Sequence, residues 1–196
     1  MTRHSTSLSP DYFEAMFQGT DDPWNLETSE YEQRKYDHSI AALDGRTYAK
    51  VLEIGCAKGM LTQRLATRCA SLLAIDVSET ALAAAQDRLS DQPHVAFKRI
   101  AFPQQVPSPT GFDLLVLSEV VYYWDDADII HAADWITRHL APGGDVLLVH
   151  WTGETDYPQS GDDAVRKLAD ALGSQVEVIT KQRCPNYRLD LWRVRP

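Results

Sequence analysis

Long apolar runs are missing from this chain. No stretch approaches the roughly 20 consecutive apolar residues that crossing a bilayer takes, and the opening MTRHSTSLSP lacks the apolar segment of a secretory leader. A soluble, cytoplasmic protein without a membrane span is therefore expected. Basic residues are scarce as well: 19 Lys and Arg stand against 28 Asp and Glu, giving a net charge of −9 and a pI near 5.0. Neutralising a nucleic-acid backbone takes clustered cations, so no nucleic-acid partner is expected. An acidic surface serves solubility and mildly suits a cationic or neutral ligand. Cysteine is nearly absent. Cys56, Cys69 and Cys184 are odd in number and lack ligand-like spacing, which excludes a disulfide framework or a zinc site. Repeats, low-complexity tracts and long linkers are lacking too. One domain over residues 1–196 and a monomer are the expectation.

What is present is regular. VLEI (51–54), SLLAID (71–76), HVAFK (94–98), FDLLVLS (112–118) and DVLLVHW (145–151) are mostly continuous apolar runs, the pattern of strands buried on both faces of a parallel sheet. Helical patterns alternate with them. MLTQRLATR follows the first strand, and SETALAAAQDRLS follows the second, with Ser78 placed as its N-cap. DDADIIHAADWITRHL follows the fourth and is expected to stop at Pro142-Gly143-Gly144, its Asp125-Asp126 forming an acidic first turn. Such alternation builds right-handed βαβ units and a doubly wound α/β sheet. GDDAVRKLADALG (161–173) reads as another helix. Two strand-like runs joined at Cys184-Pro185-Asn186 then read as an edge hairpin, with Arg183, Arg188, Arg193 and Arg195 as a solvated edge. The first 45 residues hold two helical patterns, DYFEAMFQ and SEYEQRKYDHSIAAL, split by a turn at Asp22-Pro23.

The turn after the first strand carries the chemistry. A dinucleotide site wants G-x-G-x-x-G there, and two of those three glycines are absent from Gly55, Ala57 and Met60. Acidic-x-Gly-x-Gly-x-Gly fits better, as Glu53, Gly55, Ala57 and Gly59, with Ala57 the one departure. A methyl there lets backbone approach a ligand only if its φ stays negative. Asp76 ends the second strand, where a carboxylate can accept both hydroxyls of a ribose and would repel a 2′-phosphate.

VLEIGCAKG, LLAIDVS, FDLLVLSEVVYY and LAPGGDVLLVHW together resemble the motifs of class I S-adenosylmethionine-dependent methyltransferases. That resemblance implies a Rossmann-like seven-stranded sheet ending in an antiparallel hairpin over residues 46–196. It implies S-adenosyl-L-methionine as cofactor, S-adenosyl-L-homocysteine as product, and no metal. Carried over by position, the Gly55–Gly59 loop with Glu53, Cys56 and Ala57 approaches the methionine part. Asp76 takes the ribose, Val77 flanks the adenine, and Ser118 lies beside the cofactor. The family's acidic residue after the third strand is missing from Arg99-Ile100-Ala101-Phe102, so backbone at Ala101 and Phe102 must serve. The N-terminal FQGTDDPWNLETSEYEQRKYDHSIAAL resembles the rhizobial nodulation N-methyltransferases, which implies a deacetylated chitooligosaccharide methylated on the free amine of its non-reducing-end glucosamine.

Methyl transfer to an amine needs alignment, exclusion of water and a neutral nitrogen. Ligands in open α/β sheets sit beyond the carboxyl ends of the strands. Glu119, Tyr122 and His150 fall there and are the candidate catalytic groups, each with a competing role: contact with backbone or the cofactor for Glu119, core packing for Tyr122, a satisfied strand-end imidazole for His150. Residues 1–45 are expected to form a helical lid in which Trp24 and Tyr31 cover the methionine tail and Arg34 pairs with its carboxylate. An NAD-dependent oxidoreductase, a methyltransferase of another small amine or hydroxyl, and a non-catalytic cofactor-binding module are the competing functions.

Overall fold

The computed structural model describes residues 3–196; Met1 and Thr2 of the opening segment lie outside them. Helices α1 (Pro10–Gly19) and α2 (Glu30–Ala41) precede the alternating part of the chain. That part runs β1 (Tyr48–Ile54), α3 (Met60–Ala66), β2 (Cys69–Asp76), α4 (Glu79–Arg88), β3 (Val95–Arg99), β4 (Phe112–Ser118), α5 (Asp126–His139) and β5 (Leu140–Trp151). Helix α6 (Gly161–Leu172) then leads to the hairpin of β6 (Val176–Arg183) and β7 (Tyr187–Val194). The helix starts follow from local chemistry: Ser78, Asp125 and Ser160 each accept a backbone N–H three residues on, at 3.0 Å, and so satisfy an orphan donor of the first turn.

The sheet order is β3-β2-β1-β4-β5-β7-β6. Five strands are parallel, and β7 enters antiparallel between β5 and β6. Alternate side chains feed two cores. Leu52, Ile54, Leu115, Leu117 and Leu148 pack with Ile129, Trp135 and Ile136 of α5 and Val165 and Leu168 of α6. Val51, Leu114, Val116, Leu147 and Val149 pack on the other face with Tyr36 of α2, Leu61 and Leu65 of α3 and Leu82 of α4. No helix among the described residues is long and apolar enough to cross a membrane.

Two expectations are corrected. Pro142-Gly143-Gly144 does not end α5, which stops at His139; the run lies inside β5, where the pairing with β4 slips from Phe112↔Leu140 to Leu114↔Asp145. A proline and a left-handed Gly143 (φ +74) absorb the extra residues, so the signal marks a strand irregularity. The hairpin arginines are also more than a solvated edge. Arg188 reaches Asp190 and Asp162, Arg183 reaches Asp162, and Arg193 donates to Asp145, which is wholly buried and also takes Arg46 and the Tyr48 hydroxyl.

The N-terminal helices settle beside the carboxyl ends of the strands through polar clamps. Glu14 of α1 accepts the hydroxyls of Ser78 and Thr80 at 2.6 Å each, at the start of α4. Those hydroxyl bonds lower the Glu14 pKa from 4.5 to about 2. A carboxyl held below its ordinary value contributes docking that is complete above about pH 4.5 and is lost as pH falls through about 2. Hydrogen exchange of the α1 amides is expected to accelerate across that interval before the β4 amides respond. Glu14→Gln is expected to accelerate it at pH 7.

Candidate active site

Strand β1 ends in a loop whose backbone is left-handed at Gly55 (φ +77), Ala57 (φ +47) and Gly59 (φ +80). The negative φ required of Ala57 is thus not what is found. Its N–H must swing round to Oδ2 of Asp76, 2.8 Å away, while Oδ1 accepts Ser78 N–H at 2.9 Å. Charge-assisted bonds of this kind offset the roughly 1–2 kcal/mol that a left-handed alanine costs. Gly59 is constrained twice, since a Cβ there would lie 3.0 Å from Leu89 and 3.1 Å from Ala85. Burial pushes the Asp76 carboxyl up, and the backbone N–H groups of Ser78 and Ala57 pull against it. Beneath the loop, buried Glu53 accepts the Thr62 hydroxyl at 2.6 Å. Burial pushes Glu53 up to about 8, so at neutral pH it is largely a protonated acid.

Above this loop opens a cleft walled by the ends of the strands and by the N-terminal helices. Trp24, Glu53, Gly55, Cys56, Ala57, Asp76, Val77, Phe102, Ser118 and Glu119 all line it. Gly59 sits just behind the wall, against α4. Sequence reasoning missed Phe13 and Phe17 from α1, Leu26, Glu32 and Tyr36 from the second N-terminal segment, and Lys58. Lys58 ties the segment down. Its ammonium meets Glu27 at 2.5 Å and the Asp21 carbonyl at 2.8 Å, and Arg88 reaches Glu27 at 3.0 Å. Between these clamps Trp24 and Asn25 take left-handed φ of 72° and 55°, which turns the Trp24 ring toward Phe17 and the cleft.

Five expected positions fall elsewhere. Arg34 points to solvent and pairs with Glu30 at 3.3 Å. At 3.6 residues per turn it lies about 200° round α2 from Glu32, which faces inward. The Tyr31 ring packs edge-on against Trp151 and Tyr187, outside the cleft wall, and its buried hydroxyl has no hydrogen-bond partner. The Ala101 N–H is taken by the Gln105 side chain at 3.1 Å, and Ile100 with Phe102 supplies the wall there. His150 is wholly buried away from the cleft. Its Nε2 accepts Val121 N–H at 3.1 Å, and burial lowers its pKa to about 4, so it stays neutral and cannot meet an acceptor. Tyr122 is core, stacked on Tyr157, with its hydroxyl donating to Glu119 at 2.6 Å.

Glu119 therefore belongs to a cluster. Its Oε2 accepts Tyr122 Oη–H and Trp151 N–H (2.8 Å), and its Oε1 lies 2.5 Å from the Lys35 ammonium. Lys35 in turn contacts Glu32, at 2.9 Å from Oε1 and 2.8 Å from Oε2. Burial would raise the Glu119 pKa, but Lys35, with the Tyr122 hydroxyl assisting, holds it below the ordinary carboxylate value. The buried positions of α2 are Glu32, Lys35, Tyr36 and Ser39. A polar stripe at i, i+3, i+4, i+7 is the signal that would have found them.

Sheet order, the antiparallel β7 insertion and a cleft over the β1 loop define a class I methyltransferase fold. The N-methyltransferase NodS from Bradyrhizobium japonicum WM9, solved with S-adenosyl-L-homocysteine, superposes with a TM-score of 0.79 at 24% identity, covering 94% of this chain and 97% of that one. A Pseudomonas syringae structure described as a candidate methyltransferase is 35% identical, with a TM-score of 0.71 over 84% of this chain and 99% of that one. The chain belongs to the Nodulation protein S (NodS) family, whose profile matches residues 14–153. Nodulation protein S of Rhizobium tropici is 35% identical over 130 residues, 65% of this chain and 54% of that protein. The chain spans about half the length of the curated relatives it matches.

Removing Lys35 would strand the buried Glu32 carboxylate beside the half-buried Glu119, a loss of about 3–5 kcal/mol when one partner of a buried ion pair goes. Lys35→Met is expected to lower the urea midpoint accordingly, and adding Glu119→Gln to recover part of the loss. A single variant with wild-type stability would show the cluster to be solvated.

Proposed function

We propose that this chain is an S-adenosylmethionine-dependent N-methyltransferase. Its proposed acceptor is the free amine on the non-reducing-end glucosamine of a deacetylated chitooligosaccharide. One observation carries the reading: the cleft joins a left-handed Gly55–Gly59 loop and the Asp76 carboxylate at one end to the Glu32 and Glu119 carboxylates at the other. Membership of the nodulation family supports the acceptor.

The residues present fit the cofactor. Asp76 would hold the ribose hydroxyls, and Val77, Ile100 and Phe102 offer an apolar slot for a flat base. The tight loop lets backbone approach the amino-acid end. When bound, the cofactor supplies an electrophilic methyl on a sulfonium. The chain's own part is to align the acceptor nitrogen, to exclude water under Phe13, Phe17 and Trp24, and to place negative charge where the nitrogen becomes cationic. Among the described residues no group of three or more His, Cys, Asp or Glu could hold a metal ion.

Asp76→Ala is expected to weaken S-adenosylmethionine binding at least tenfold in calorimetry; unchanged affinity would remove Asp76 from the ribose. Mass spectrometry is expected to find a methyl group on the deacetylated oligomer and none on the fully N-acetylated one. Equal labelling of both would defeat the amine reading.

A further inference from the structure

We propose that Glu32 and Glu119, bridged by Lys35, form the docking site for the acceptor's ammonium group, and that Glu32 receives its proton. This rests on the transferase reading above and names the group that prepares the nitrogen.

Two carboxylates share one ammonium, so the cluster carries one uncompensated negative charge. Glu32 is 8% exposed, Lys35 3%, and both carboxylates line the cleft. In such surroundings an arriving cation is worth far more than it is in water. The two carboxylates are not equivalent. Glu119 has both oxygens engaged by Lys35, Tyr122 and the Trp151 N–H. Lys35 bonds Glu32 at Oε1; the buried Oε2 lies 2.8 Å from the same ammonium without a hydrogen bond to it or to any other group. Oε2 is the one oxygen of the two carboxylates left without a hydrogen-bond partner. Around Glu32 stand Lys35, Tyr31 and Tyr36 from α2 and Glu119 from the end of β4. Burial, with Glu119 adding to it, raises the Glu32 pKa against the pull of Lys35, whereas Glu119 is held low. Glu32 is thus the proton acceptor and Glu119 the permanent anion, the separation of roles that a pair of neighbouring carboxylates needs. Lys35 is a positioning residue that keeps both in place.

The balance is simple. The ammonium N–H breaks and its proton passes to Glu32 Oε2, leaving a neutral amine whose lone pair forms the new N–C bond. The secondary ammonium so formed is again matched by Glu119, and Glu32 returns its proton to solvent.

The test uses full-length protein saturated with S-adenosylhomocysteine, titrated by calorimetry with chitotetraose bearing one free terminal amine, beside methyl-transfer assays from pH 6 to 9. Glu32→Gln is expected to weaken amine binding at least tenfold and to lower kcat/KM about 100-fold, with affinity for the homocysteine compound unchanged. Its rate should keep climbing to the amine's own pKa near ~8, while the wild type levels off earlier; Glu32→Asp should restore the early plateau. Wild-type affinity and pH profile in Glu32→Gln would overturn the proposal. Amine binding by wild type that Glu32→Gln abolishes, without any transfer, would keep the ammonium site and overturn the transferase reading. A wild type that binds the acetylated tetraose equally well would overturn both.

Discussion

One buried ammonium joins α2 to the end of β4. Lys35 comes from α2 and Glu119 from the end of β4, 84 residues apart in sequence and 2.5 Å apart in space. Burying an isolated cation or anion costs several kcal/mol, so neither group is stable at its place without the other. The position of α2, the left-handed backbone at Glu119 (φ +56) and the carboxylate wall of the cleft therefore stand or fall together. Tyr122 and the Trp151 N–H complete the arrangement by fixing the second oxygen of Glu119. The opposite wall is set with the same economy, since the Asp76 carboxylate both shapes the Ala57 turn and caps the approach to α4 through Ser78.

The sheet was legible because burial on both faces leaves a direct mark. FDLLVLS is β4 residue for residue, and the other parallel strands differ from their apolar runs at the ends. Propensity misled only where one residue type serves two purposes. Pro142-Gly143-Gly144 suits a helix stop, yet it also suits a strand that must take up extra residues beside Phe112, and the tertiary pairing decided for the latter. Ala57 was misjudged for a related reason. Local sterics favour a negative φ, but they do not know that Asp76 waits 2.8 Å from the N–H.

The end of the cleft over the β1 loop was more legible than the end walled by α2. Loop and strand-end residues are placed by the topology itself, so Gly55, Asp76 and Ser118 could be located from the alternation of elements. Side chains on α2 are placed by helical phase, where an error of one residue turns the group about 100°. Arg34 was chosen for its chemistry, and Lys35 next to it has the inward direction. His150 shows the remaining limit. A strand-end imidazole looks like a base until its surroundings are known. Here complete burial and the Val121 N–H keep it neutral, and its ring serves to hold the turn after β4.

These phases explain why the end walled by α2 is acidic although the whole surface is acidic too. A net charge of −9 is spread over solvent, where salt and water screen each carboxylate. The Glu32–Lys35–Glu119 cluster is screened by neither, because Lys35 and Glu32 are nearly closed to water. Overall charge therefore says little about what the cleft prefers. The preference comes from two anions and one cation held within 3 Å contacts in the wall of the cleft. An uncharged hydroxyl entering there would leave the excess anion uncompensated, whereas an ammonium neutralises it. On electrostatic grounds such a wall favours a cation over an uncharged group.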